Sequence, residues 1–328
     1  MAHEIATNNL STSLSAEGLT AGKKYSLWRD ALARLMANKL AIISLVLIII
    51  LLFMALAGPY ITPYDFLSQD LDARNQPPSW EHWMGTDYLG RDVFSRVIYG
   101  ARTATVIAFS VVGISMLIGV TLGSIAGYAG GKVDSFIMWF TDLVMAVPAL
   151  LLAVVASVAL RPPLGRWMEQ MYFATQIQFF RQAYWVDLLL LMIALTLVLW
   201  PTYARLIRGQ ILTIRNQNYV LAARALGVPT RNVLVRYVIP NSLGPVIVAL
   251  SAGLGSAMLT ESAFSFLGIG VRPPIPSWGN MINEGLEYWR GSPHLLVYPA
   301  LVLGIMTVAF SFLGDGLNDA LNPRQWRD

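Results

Sequence analysis

The spacing of charges is what most constrains this chain. No Asp, Glu, Lys or Arg falls between Lys39 and Asp65, between Arg102 and Lys132, between Asp187 and Arg205, between Arg236 and Glu261, or between Arg290 and Asp315. A sixth apolar run, Phe136 to Leu160, carries Asp142 as its single charge. Crossing the hydrocarbon of a bilayer takes about 20 apolar residues as a helix, and every run supplies them. Charged residues make up only 13% of the 328, against about 25% in soluble domains. The expected fold is therefore an all-α polytopic membrane protein with six transmembrane helices.

The boundaries follow from the same runs. Residues 1–37 read as an N-terminal tail, of which 1–24 are Ser-, Thr- and Asn-rich and expected to be disordered. Residues 38–58 form the first span and 59–101 an external segment. Residues 102–315 form a core of five spans, with an external insertion at 161–187 and an inner loop at 205–240, and 316–328 form a C-terminal tail. A long charged stretch precedes the first run, so that run is read as an anchor and not as a cleavable signal. With both termini inside, the inner segments carry 14 Lys and Arg and the outer segments 9. This bias sets the expected orientation.

Composition closes off several chemistries. The chain has no cysteine, so disulfides, iron–sulfur clusters and thiol nucleophiles are excluded. His3, His82 and His294 are far apart and show no ligand spacing. No nucleophile-elbow string accompanies them, which removes a serine hydrolase. The net charge of +4 is small and scattered, and points to no nucleic-acid partner. The string Ala126–Asp134 resembles a phosphate loop only loosely. Ala126 replaces its first glycine and Val133 follows the lysine. Gly130-Gly131-Lys132 reads instead as a tight turn, and any nucleotide must sit on a partner.

Gly119, Gly123 and Gly127 repeat every four residues along the second span. Such a stripe lets helix backbones approach closely in lipid; a moving, path-lining face is the other reading. Ser251, Gly253, Gly255, Ser256 and Ala257 crowd the fifth span in the same way. Asp142 and Glu261 fall within spans, where an ionisable group costs about 2.5–3.5 kcal/mol on insertion scales. They either line a substrate path or hydrogen-bond between helices. Asp87, Arg91 and Asp92 form an external ion-pair knot or touch a partner. Asp315 and Asp319 are solvated or paired with loop arginines. The aromatic stretch within 161–185 either lies in the interface plane or caps the external mouth.

The inner loop is the most informative segment. Asn216 or Asn218 can cap a short helix through Leu221, Ala222, Ala223, Arg224 and Leu226. Gly227 is a stop signal. Pro229 and Thr230 restart an amphipathic stretch to Ile239, and Pro240 suits the first turn of the next span. The small residues offer a groove-docking helix to a soluble partner, or else the pair of helices merely connects two spans.

This segment resembles the EAA loop of permeases in ATP-binding-cassette importers: Glu-Ala-Ala, three residues, Gly, then Pro thirteen residues later. Here the pattern falls on Ala222, Ala223, Gly227 and Pro240, with Leu221 in place of the glutamate. Met84–Arg102, Phe140–Ala153, Glu261–Gly279 and Leu313–Pro323 resemble the second permease of the dipeptide/oligopeptide/nickel importer family. That resemblance implies a type I importer permease. Its partners would be a second homologous permease, two ATP-binding subunits that hold ATP and Mg, and an external solute-binding protein. The loop would couple to the ATPases, this chain itself would be no enzyme, and transport would run by alternating access. A proton-coupled carrier using Asp142 and Glu261 is the alternative.

Overall fold

The computed structural model describes residues 27–181 and 184–321. The expectation for residues 1–24, and the end of the C-terminal tail beyond Leu321, lie outside the described residues. The helices are α1 Leu27–Ala37, α2 Lys39–Ile61, α3 Val93–Ala129, α4 Gly131–Ala146 and α5 Ala149–Thr175. They continue with α6 Tyr184–Ile214, α7 Asn218–Ala225, α8 Thr230–Val233, α9 Ile239–Phe266, α10 Trp278–Tyr288 and α11 His294–Leu321. Among the described residues there is no strand, only an isolated bridge between Thr86 and Asp92. Among the described residues, six helical segments are long and apolar enough to span a bilayer.

Local chemistry starts the helices where the charges stop. Asn38 caps α2, its side chain accepting from the backbone of Leu40 and Ala41 at 3.0 and 3.2 Å. Asp92 caps α3 by accepting from the Ser95 backbone at 2.7 Å. The turn between α3 and α4 is made by Gly130 and Gly131, both at positive φ (67° and 55°).

The run from Phe136 to Leu160 is not one helix. It breaks at Val147–Pro148 into α4 and α5, because proline lacks the donor that would continue the ladder. The boundary expected at residue 161 is not a helix end either. α5 runs through Pro162 and Pro163 to Thr175. Leu164 and Met168 pack against Val186 and Leu190 of α6, and this packing holds the segment helical despite two missing donors.

The core forms where α3 meets α6. A methyl on Gly123 would collide with the carbonyl of Ala204, and one on Gly127 would lie 3.0 Å from the carbonyl of Arg208. The glycine stripe is therefore a backbone-on-backbone seam. A second seam joins α9 to α11, where a methyl on Gly255 would meet the Thr307 carbonyl at 3.0 Å. Across it, the Ser251 hydroxyl donates to Phe310 O at 3.3 Å. The partner atoms at Gly123 are backbone and cannot rotate away. Gly123→Ala is therefore expected to cost about 1–3 kcal/mol, read as an earlier thermal transition of the purified protein in detergent.

Trp278 at the start of α10 is fully buried, and its indole N–H donates to Val97 O at 3.0 Å. Gly100 leaves room for the ring. α10 is fixed at its start by a capping box in which Ser277 and Asn280 satisfy each other's backbone.

Candidate functional site

α7 is a two-turn helix with a built stop. The Gly227 N–H donates to Arg224 O at 2.9 Å and the Val228 N–H to Ala223 O at 3.1 Å, with Gly227 at φ 77°. This is the Schellman arrangement, and only glycine enters it without strain. The expected asparagine cap is absent. Gln217 occupies the cap position and its side chain makes no capping bond. The expected amphipathic restart is also different. α8 passes through a π-helical turn, Leu234–Val238, directly into α9, so Pro240 lies inside one continuous helical stretch and is exposed.

The two faces of α7 are chemically distinct. Val220 and Ala223 are buried among Ile207, Ile211, Ile214, Val233 and Val238. Ala223, expected on the docking face, thus anchors α7 to its own chain. Its remaining surface carries Tyr219, Leu221 and Leu226, which are 44%, 47% and 84% exposed. Ala222 and Gly227 are exposed beside them. The Arg224 guanidinium lies 4.8 Å above the Tyr128 ring, a cation–π contact to the end of α3. Arg215 donates to Gly127 O at 2.8 Å. α7 is therefore tied to both α3 and α6 while keeping these apolar side chains exposed.

Comparison with known proteins bears on this arrangement. Residues 119–327 match the model of the binding-protein-dependent transport system inner membrane component. Residues 26–78 match the N-terminal transmembrane domain of oligopeptide transport permease C. The chain belongs to this family of inner membrane components. This permease is 37% identical over 302 residues to the oligopeptide transport system permease protein of Bacillus subtilis, covering 92% of the chain and 91% of that relative. The B. subtilis dipeptide transport system permease protein is also 37% identical, over 90% of the chain and 85% of its own length. A glutathione transport system permease protein of Pectobacterium atrosepticum is 34% identical over 90% and 91%. The all-α, six-span arrangement is that of a type I permease of ATP-binding-cassette importers.

Asp142 pairs with Arg205 at 2.5 Å, and Arg161 with Asp187 at 2.5 Å. These two pairs bracket the charge-free stretches 143–160 and 188–204. The stretch 188–204 is helical throughout and at 1.5 Å per residue spans roughly 26 Å, close to the thickness of the hydrocarbon core. Asp142 thus marks the edge of the apolar slab nearer α7 and does not fall within a span as expected. Beyond that edge, Arg208 grips Asp134 bidentately at 2.5 and 2.6 Å. The paired arginines let α6 continue as helix to Ile214, which shortens the loop expected from residue 205.

Glu261 is fully enclosed. Ser265 donates to it at 2.7 Å and Ser262 at 3.2 Å. It lines no surface of this chain, and Asp142 is occupied by Arg205. Neither carboxylate stands as the unpaired, path-facing group that a proton carrier asks for.

On the side opposite α7, Asp87, Arg91 and Asp92 are buried, which makes them a structural knot. Arg91 reaches Asp87 at 2.6 Å and Glu284 at 3.2 Å; Arg96 reaches the same two carboxylates at 3.2 and 3.0 Å. Asp92 also meets His82 at 2.9 Å. Burial first, then the Glu284 carboxylate, push the Tyr88 hydroxyl above its usual range. The partnership of Glu284 with residues almost two hundred positions earlier had no signal in the sequence.

Proposed function

We propose that this permease is one of two homologous membrane subunits of an ATP-driven importer of peptides or related small solutes. Both of its termini would lie in the cytoplasm of a bacterial inner membrane. α7 and the residues around it, with Leu221, Ala222, Leu226, Gly227 and Pro240 outward, dock on one of two ATPase subunits that hold ATP and Mg. An external binding protein delivers the solute on the opposite side. ATP closes the ATPases, α7 moves with them, and the spans switch between two packings.

The observation that carries this reading is the exposure of Tyr219, Leu221 and Leu226 on a helix whose other face is already packed. Exposed apolar residues beyond the bilayer edge call for a protein partner. The peptide class rests on the names of the relatives. Leu221 at the glutamate position of the docking pattern makes an apolar contact where a salt bridge would otherwise form.

The test is co-purification of the assembled subunits, followed by ATPase measurement with and without peptide-loaded binding protein. Cysteine at Leu226 is expected to crosslink to the ATPase subunit and to resist impermeant reagents added outside intact cells. Outside labelling of that thiol would invert the orientation. Undiminished uptake by this chain alone in vesicles would remove the ATPase from the account.

A further inference from the structure

At the edge of the slab opposite α7, a cavity of about 140 Å³ opens between α5, α6 and the loop after α9. Arg161, Asp187, Arg272 and Ser157 supply its polar lining, with Val158 and Leu190 among its apolar walls. Arg161 and Asp187 are bound to each other at 2.5 Å, with 40% and 12% of their side chains exposed. That pair is neutral. Arg272 is exposed and makes no ion pair among the described residues. The recess therefore carries one uncompensated positive charge.

The loop bearing Arg272 is held in place from below. α9 ends in a Schellman stop at Gly268, φ 77°, with the Ile269 N–H donating to Phe264 O at 3.0 Å. The Val271 N–H donates to Ser265 Oγ at 3.1 Å, and that hydroxyl donates to the enclosed Glu261 carboxylate at 2.7 Å. Glu261 is thus a positioning residue for the segment that presents Arg272. A site whose supporting bonds are made before a ligand arrives is preorganised.

We propose that this recess receives the carboxylate of the incoming solute, with Arg272 and the unpaired edge of the Arg161 guanidinium as donors. A guanidinium matches a carboxylate with two parallel N–H bonds, and one carboxylate cancels the surplus charge. The volume is below the roughly 300–1,000 Å³ of sites that enclose a whole drug-sized ligand, so the recess takes one end of the molecule. The inference deepens the importer reading and takes its solute class from it.

The test uses the complete transporter in proteoliposomes, with Ser157→Cys as the only thiol of this chain and a polar maleimide as label. Val154→Cys, on the same wall, replaces it if that variant fails to insert. At ten times its Kd, dialanine is expected to slow labelling by about tenfold, and dialanine amide to leave it unchanged. Arg272→Gln is expected to weaken protection by about tenfold or more, the loss of a charge-assisted bond. Equal protection by the amide, or full protection in Arg272→Gln, overturns the proposal. So does unprotected labelling in vesicles that import dialanine. Labelling that follows phosphatidylglycerol or phosphatidylethanolamine content against phosphatidylcholine, and not the peptide, assigns the recess to a lipid phosphate and also overturns it. Vesicles that import no peptide at all remove the importer reading instead. Acetate then replaces dialanine as the probe: protection that Arg272→Gln abolishes upholds the recess, and its absence rejects it.

Discussion

Leu226→Asp is expected to abolish ATP-driven uptake while leaving the permease inserted and folded. Leu226 is 84% exposed, so the change removes no internal packing. On the proposed docking face it would put a desolvated, unpaired charge into an apolar contact, which at an interface centre costs about 2–4 kcal/mol. The corresponding loss of affinity is about thirtyfold or more. Gly227 separates contact from backbone strain at the same spot. A side chain there meets nothing within 4 Å in this chain, yet the residue sits at φ 77°. Gly227→Ala is expected to show only the strain of that conformation, about 1–2 kcal/mol, and Gly227→Trp to uncouple hydrolysis from uptake as well. Uptake and ATPase rates on the same proteoliposomes check all three. Wild-type coupling in Leu226→Asp and Gly227→Trp would dismiss α7 as the docking element.

Glu284→Ala is expected to destabilise the protein by about 3 kcal/mol. The change leaves the buried Arg91 and Arg96 to share the single carboxylate of Asp87. The cost arises from stranded charge and not from lost packing, so relieving the charge should recover much of it. Glu284→Ala combined with Arg96→Met is expected to be more stable than Glu284→Ala alone. The measurement is thermal unfolding in detergent of the single and double variants. A double variant less stable than the single one would show that the knot acts through shape and not charge.

The two outcomes differ in how far the sequence foretold their sites. The spans were legible because charge is excluded from hydrocarbon, and that rule acts on composition alone. The position of α7 was legible because Gly227 needs a conformation that few residues tolerate. Its facing was not. Ala222 and Ala223 are identical in type, and only the packing of Ala223 against Val220 and Val233 assigns one inward. The break at Pro148 was hidden by apolar residues on both sides of it, and the continuation past Pro162 and Pro163 depends on Met168 meeting α6. Asp142 and Glu261 looked alike as lone acids within spans. Long-range partners separate them: Arg205 at the slab edge for one, a serine cage for the other. Long-range partners of this kind leave no local periodicity to read.

The division of labour on α7 also bears on how such machines diversify. Val220 and Ala223, with Arg224 over the Tyr128 ring, anchor that helix, while Tyr219, Leu221 and Leu226 are exposed. On the proposed docking role, a lineage could therefore rewrite Tyr219, Leu221 and Leu226 to recruit a different motor, or to refuse a paralogous one, without relearning how to fold. Swapping those three side chains between importers of one cell is then a way to exchange their engines.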